Sequence, residues 1–209
     1  MGFYTERILP WLMDKALWMP EIEAQRRPLL EKVSGQVLEI GFGSGASLPA
    51  YNSGADGVQH LVALEPNWGM MCRAQDRLSR VSFRVDLVRA SAEILPFKDH
   101  AFDTVVSNLT LCSIPDLPTA LSSLRRVLHP EGRFLFLEHG RADNTKLARW
   151  QDRLTPINRL LTGGCRLNRP LDRLIRGAGF ELESLERYRG GPGPKLSTQM
   201  YRGVARPVG

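Results

Sequence analysis

The sequence predicts an α/β protein with a doubly wound, mostly parallel seven-stranded sheet and an N-terminal helical addition. Three observations carry that expectation. Short apolar runs of strand type alternate with stretches of helical apolar spacing. A glycine-rich turn follows the first of those runs directly. The length of 209 residues and the 43% hydrophobic content suit one domain with a substantial core.

The elements follow in order. Ahead of the first strand, "FYTERILPWLMDKALW" places Ile8, Leu9, Leu12, Ala16 and Leu17 near helical spacing, with Trp11 and Trp18 beside them. Packing against the domain is the expected role of this helix, and lying in a membrane interface is the alternative. Glu6, Arg7 and Asp14 interrupt its apolar residues, which argues against a secretory signal. Val37 to Ile40 reads as the first strand, His60 to Leu64 as the second and Ser82 to Val88 as the third. Phe102 to Ser107 and Gly132 to Glu138 read as the fourth and fifth. Trp68 to Leu78 and Leu117 to Leu128 are helical, with Leu117, Leu121, Leu124 and Leu128 on one buried face. His129-Pro130-Glu131-Gly132 supplies a stop before the fifth strand. Thr145 to Leu161 reads as a helix interrupted at Pro156, and Leu171 to Arg176 as a shorter one. Phe180 to Tyr188 and Thr198 to Ala205 close the sheet.

Composition excludes several classes. The uncharged run from Thr104 to Pro115 is far short of the roughly 18 apolar residues a spanning helix needs. The three cysteines, Cys72, Cys112 and Cys165, have no CxxC spacing, which points to a reducing, cytoplasmic setting. Charge is uneven: residues 1–124 hold 11 Lys and Arg against 14 Asp and Glu, whereas residues 125–209 hold 17 against 8. The basic part is either a solvated face or one attracted to anionic lipid or an acidic substrate. No aromatic and basic array accompanies it, so nucleic acid is not expected as a partner.

The glycine turn, "VLEIGFGSGA", contains Gly41, Phe42, Gly43 and Gly45 at the carboxyl end of the first strand, where doubly wound folds bind cofactors. Gly41-x-Gly43-x-x-Ala46 also satisfies a dinucleotide fingerprint. Glu39 separates the two readings. A carboxylate at the edge of the loop repels a pyrophosphate but suits a ligand bearing an ammonium and a sulfonium, such as S-adenosylmethionine. Glu65 ends the second strand in "ALEPN", followed by Pro66 and Asn67, and its two oxygens can accept both ribose hydroxyls. "SAEILPF", with Ser91, Ala92 and Glu93, follows the third strand, and "FDTVVSNLTLCSIPD" comes next.

Over residues 36–139 these four motifs resemble the class I S-adenosylmethionine-dependent methyltransferases, in the branch of the ubiquinone/menaquinone C-methyltransferases. The resemblance implies their Rossmann-like sheet with an antiparallel last strand. It also places Glu93 near the adenine and makes Asn108, Leu109 and Thr110 a wall of the reaction centre. A loop acid at Glu93 and a structural amide at Asn108 are the bland alternatives. "TLCSIPD", "FLEHG", Trp150-Gln151 and "GGCRLNR" are further similar, in the same order, to the microsomal thiol methyltransferases of animals and their bacterial relatives. This narrower resemblance spans about Tyr4 to Pro207 and implies a small, rather apolar acceptor, above all a thiol. Membrane association in the animal enzymes belongs to a long apolar N-terminus that this sequence lacks. Phosphatidylethanolamine N-methylation, quinone-precursor C-methylation and a cofactor-binding module without turnover remain alternatives.

The organisation implied is one domain. A helical segment at 1–33 leads into a cofactor-binding core at 34–140, a helical insertion on the acceptor side at 141–180, and closing strands at 181–209. His139 and Asn108 are the candidate catalytic groups, because an imidazole at the sheet's carboxyl edge can take a proton or orient an acceptor. Thr110, Ser113, His139, Trp150, Cys165, Arg166, Asn168, Arg169 and Tyr201 are candidate acceptor contacts. The stretch "TGGCRLNRP" reads as an acceptor wall folded over the donor methyl at Gly163 and Gly164. A helix-to-helix turn with Cys165 as a small buried hydrophobe and a phosphate cradle clamped by Arg166 and Arg169 are its alternatives. No metal is expected: Cys165 has no His or Cys near it along the chain, and His60, His100, His129 and His139 are scattered.

Overall fold

The computed structural model describes residues 7–190 and 195–208. Phe3 to Glu6, the start of the expected first helix, lie outside the described residues. The elements are α1 (Leu9–Leu17), α2 (Pro20–Leu30), β1 (Gly35–Ile40), β2 (Val58–Leu64), α3 (Trp68–Gln75) and β3 (Arg84–Val88). They continue with β4 (Phe102–Asn108), α4 (Leu117–Val127), β5 (Leu128–His139), α5 (Thr145–Leu161), α6 (Leu171–Gly177), β6 (Phe180–Arg189) and β7 (Gln199–Pro207).

One seven-stranded sheet runs in the order β3-β2-β1-β4-β5-β7-β6. Strands β1 to β5 pair in parallel, and β7 is antiparallel to both β5 and β6, so the expected fold class holds. The order reverses between β1 and β4, and that switch point is where a doubly wound sheet opens a ligand crevice. The strands that flank it are buried on both faces, as β1 and β4 show in their runs of buried residues. Two apolar clusters cover the sheet. One contains Leu117, Leu121, Leu124 and Leu128, so the helical face read from their spacing is buried as expected. The other joins Leu29 and Leu30 of α2 to Val37, Leu61 and Val106 of the sheet.

Three departures from expectation have a local physical cause. Helix α3 stops at Gln75, and a separate single turn covers Leu78–Arg80. Strand β5 begins at Leu128 and passes through Pro130, with a register shift opposite Phe102 and Thr104 that absorbs the stop signal. Helix α5 is not interrupted at Pro156 but runs 17 residues through it. The lost amide donor is one among many, the Thr155 hydroxyl adds a bond to the Gln151 carbonyl at 2.7 Å, and the Asn144 side chain caps the start. This helix therefore tolerates the ring that usually breaks one.

Candidate active site

The loop leaving β1 holds Gly41, Gly43 and Gly45 at φ of 61°, 62° and 79°, a region that disfavours any residue with a Cβ. Space forbids one at Gly41 as well: its Cβ would lie 2.2 Å from Thr110 Oγ1. Thr110 Oγ1 instead donates to the Gly41 carbonyl at 3.2 Å, tying the loop to the end of β4. Across the crevice Glu65 is buried, and its carboxylate accepts from the Gly43 amide at 2.9 Å and the Asn67 amide at 2.8 Å. Burial raises its pKa, against those two amide bonds. Asn67 caps α3 by accepting from the Met70 amide at 3.1 Å, and the Pro66 carbonyl receives Arg89 Nε at 3.4 Å. The Ser91 hydroxyl bonds the Glu93 carboxylate, which also accepts from the Asp116 amide at 3.4 Å. Phe42 and Ala92 belong to the core clusters, so their side chains support the loops from beneath.

The end of β4 is strained and partly unsatisfied. Leu109 takes a φ of 58°, uncommon for a residue with a branched side chain, while its amide donates to the Leu137 carbonyl at 2.8 Å. Asn108 Oδ1 is buried with no hydrogen-bond partner among the described residues. An orphaned acceptor of this kind calls for a ligand or water to complete it.

Glu39 differs from expectation. Its side chain turns inward, 1% exposed, and accepts from Ser47 Oγ at 2.7 Å and the Tyr51 hydroxyl at 2.8 Å. Desolvation pushes its carboxyl up to about 7, against those two bonds and the buried Arg26. It thus braces the loop from below, because a carboxyl buried between apolar strands needs hydrogen-bond partners and Ser47 and Tyr51 supply them.

On the acceptor side, Glu138 is a residue that the sequence reading missed. Fully buried, it accepts from Ser107 Oγ at 2.7 Å and from the amides of Thr110, Leu111 and Cys112 at 2.9, 3.0 and 3.4 Å. It therefore shapes the whole turn that follows β4. Its signal was present in "LEHG", one residue before His139.

The "TGGCRLNRP" segment closes on that same turn. The Arg166 amide donates to the Cys112 carbonyl at 2.8 Å, and its guanidinium to the carbonyls of Ile114 and Pro115 at 3.1 and 2.8 Å. Arg169 is buried and bonds the carbonyls of Leu111 and Ile114. Both arginines are thus committed to backbone, which corrects the expectation that they face a ligand directly. Asn168 is tied to Asp152 at 2.9 Å in a surface cluster with Arg141. Tyr201 is buried, with its hydroxyl donating to the Arg141 carbonyl at 2.7 Å, and Trp150 is 54% exposed. Neither aromatic is brought to the crevice.

Cys165 is. Its sulfur lies within 4.8 Å of both Cys112 Sγ and a ring nitrogen of His139, so the expectation that it stands alone fails. Separation along the chain concealed a neighbourhood made by β4, β5 and the turn after α5. The neighbouring Cys112, with the His139 imidazole, holds the Cys165 thiol below the ordinary cysteine range, while Cys112, whose own thiol donates to the Leu109 carbonyl at 3.8 Å, is pushed up. Ser113 Oγ lies 3.6 Å from Cys112 Sγ.

Comparison with known proteins agrees with this geometry. Residues 38–136 match the type 11 methyltransferase family, described as a methyltransferase domain. Human thiol S-methyltransferase TMT1A is 30% identical over 154 residues, covering 72% of this chain and 62% of that protein. The ubiquinone/menaquinone biosynthesis C-methyltransferase UbiE of Ectopseudomonas mendocina is 35% identical over 119 residues, covering 56% and 46%. The chain thus spans from about half to 62% of these relatives' lengths. In fold it matches an S-adenosylmethionine-dependent methyltransferase of Thermotoga maritima, with a TM-score of 0.69 at 20% identity over 98% of this chain and 99% of that one. CalH, solved with S-adenosylhomocysteine, gives a TM-score of 0.66 at 20% identity over 96% and 59%.

Residues 38–136 thus form a methyltransferase domain of the type 11 family. Its cofactor is S-adenosylmethionine, and the residues present fit it. Three glycines at left-handed φ keep the backbone of the loop bare, Asn108 Oδ1 is an acceptor without a partner among the described residues, and each Glu65 oxygen retains a lone pair. Helix α1 covers this methyltransferase crevice: a Cβ at Gly43 would sit 3.6 Å from the Leu17 side chain, and Asp14 holds Arg77 at 2.8 Å. Among the described residues no helix is long and apolar enough to cross a membrane.

Proposed function

We propose that this methyltransferase S-methylates a small, rather apolar thiol in the cytoplasm. One observation carries the reading: two thiols, an imidazole and the buried Arg169 converge beside Thr110, one hydrogen bond from the cofactor loop. Surroundings of cations and soft donors favour a sulfur nucleophile over an alcohol or carbon one. The similarity to a named thiol S-methyltransferase supports the same choice.

The cofactor supplies an electrophilic methyl group on a sulfonium with a good leaving group. The protein's part is positioning. Gly41 and Gly43 let backbone approach the ligand, and Glu65 offers its free lone pairs to the ribose hydroxyls. Asn67 and Pro66 fix the turn beneath, and Ser91 with Glu93 bounds the adenine side. Asn108 accepts a donor on the ligand, while Leu109 and Thr110 wall the transfer point. On the far side Cys165, Ser113 and His139 line the acceptor space, with His139 orienting the thiol or removing its proton. Arg166 and Arg169 act through the turn they clamp.

The test is production of S-adenosylhomocysteine from S-adenosylmethionine, with small thiols, phosphatidylethanolamine vesicles and a quinone precursor compared in parallel. Turnover on the thiols supports the reading; turnover on the vesicles or the quinone precursor with none on the thiols overturns it. One observation favours phosphatidylethanolamine as the second reading. Ile8, Trp11 and Leu12 around α1 and Ile157, Leu160 and Leu161 on α5 are exposed, and the two elements meet where Leu9 approaches Gly163. That apolar surface, with the basic C-terminal part, suits peripheral contact with anionic bilayer. The lipid reading requires activity that depends on vesicles and falls with salt.

A further inference from the structure

Cys112 lies in the turn after β4, His139 ends β5, and Cys165 follows the Gly163-Gly164 pair after α5. These three residues each offer one ligand atom, and the atoms lie within 4.8 Å of one another. A tetrahedral zinc ion with sulfur ligands at about 2.3 Å sets those sulfurs about 3.8 Å apart. The observed spacing therefore closes onto such an ion with side-chain rotations of under about an ångström, within the reach of a cysteine rotamer. We propose that Cys112, Cys165 and His139 form a binding site for zinc or a similar thiophilic divalent cation, with its fourth position open.

The backbone around the three ligands is built to present them. Gly163 and Gly164 take φ of 68° and 115°, and a Cβ at Gly164 would sit 3.1 Å from the Ser113 carbonyl oxygen. Only glycine lets the α5 turn come this close to the turn after β4. The carbonyl of Cys112 receives the Arg166 amide, its own amide reaches Glu138, and the Cys165 carbonyl receives Asn158 Nδ2 at 2.9 Å. Such supports fix ligands in the way outer-shell partners of metal sites do. Electrostatics agree, since two thiolates cancel the charge of the ion, and the acceptor-only contacts of Glu138 offset Arg169. Cys112 and Cys165 are buried while His139 is partly exposed, so solvent reaches the cluster from the imidazole side.

Two cysteines and a histidine with one open position is a ligand set of catalytic rather than structural type. Resting on the thiol reading above, the acceptor enters that position. Its S–H bond breaks, a sulfur–metal bond forms, the proton passes to bulk water and the bound water leaves. Coordination deprotonates the acceptor at neutral pH, so His139 acts here as a metal ligand in place of the orienting or proton-accepting role given it above. The "GGC" of the C-terminal segment is thereby the third arm of a metal centre.

The test uses the full chain, purified without chelator and dialysed. Elemental analysis should find one zinc per chain, and X-ray absorption should show two sulfurs at about 2.3 Å and one nitrogen at about 2.0 Å. Cys112→Ser and Cys165→Ser should each weaken zinc at least tenfold against a chromophoric chelator, whereas Cys72→Ser on α3 should leave it unchanged. Because a cysteine variant can misfold, the wild-type protein gives an independent readout: Co2+ should produce intense sulfur-to-metal charge-transfer bands. Failure to retain zinc, or Co2+ spectra lacking those bands, would overturn the site. Propanethiol should shift the cobalt spectrum; an unchanged spectrum overturns the acceptor's place on the metal. Thiol turnover by metal-free protein keeps the thiol reading and sinks the metal, so the two failures are separable.

Discussion

The loop after β1 and the turn after α5 use the same local device, glycines in the left-handed region, for different ends. Gly41, Gly43 and Gly45 let a backbone approach a ligand, and their partners Glu65 and Thr110 sit on neighbouring strand ends. Gly163 and Gly164 let one segment approach another, and what they meet is Leu9 and the Ser113 carbonyl from distant parts of the chain. The cofactor half is a contiguous motif completed by sheet order. The acceptor half is assembled almost wholly by tertiary contact. The first constrains the ligand; the second constrains the protein.

The largest effect should separate these two roles. Gly41→Ala adds a Cβ 2.2 Å from Thr110 Oγ1 in a backbone conformation that strains any L side chain. Affinity for S-adenosylmethionine, measured by calorimetry, should fall roughly a thousandfold, about 4 kcal/mol. Glu65→Ala should weaken it in the same direction with the fold retained. Near-normal binding in both variants would break the assignment of this loop to the cofactor.

A second experiment sharpens the account of Glu39. Burial holds its carboxyl at about 7 against an ordinary value of 4.5, so the folded state binds a proton that the unfolded state has released. The linked stability is full below about pH 4.5 and is lost as pH rises to about 7, a change of about 3 kcal/mol. Glu39→Gln carries no such proton. In ligand-free protein, urea unfolding from pH 4.5 to 8 should therefore show wild type losing stability relative to the variant across that window. A difference constant with pH would mean that the carboxyl is not held neutral by burial.

Much of the first half was legible because its signals are local. The strand ends, the glycine spacing and the acid closing β2 lie within short segments, and sheet order brings them together. Glu39 misled because sequence gives position along a strand but not which way an acid turns. Ser47 and Tyr51 capture it, and nothing local marks them as partners. The second half was harder. Cys165 reads as a lone thiol, since Cys112 and His139 reach it only through the crossing of β4, β5 and the α5 turn. Arg166 and Arg169 read as ligand contacts because a guanidinium suits an anion, yet the exposed carbonyls of the turn after β4 claim them. Glu138 was hidden by its neighbour: a reading drawn to the titratable His139 passed over the acid that organises four donors.

The turn after α5 should show a smaller, purely structural response. Gly164→Ala must relieve a contact of 3.1 Å with the Ser113 carbonyl at a φ of 115°. A loss of about 2 kcal/mol in the unfolding free energy from urea titration is expected, with S-adenosylmethionine affinity changed less than roughly threefold, about 0.7 kcal/mol. If cofactor affinity fell as far as stability, the two halves would be coupled and the contrast between them would fail.

The smallest effect tests where the acceptor half ends. Trp150 is 54% exposed under Arg153, and Leu160 on the same helix is 79% exposed. Neither contacts the Cys112, Cys165 and His139 cluster in the geometry described. Trp150→Ala should therefore alter stability by less than about 0.5 kcal/mol and leave turnover on a soluble thiol within about twofold. The same change combined with Leu160→Ser should weaken co-sedimentation with anionic vesicles if α5 touches a bilayer. A large loss of thiol turnover would instead carry the acceptor space outward across α5, and Trp150 would return to the pocket that the sequence assigned it.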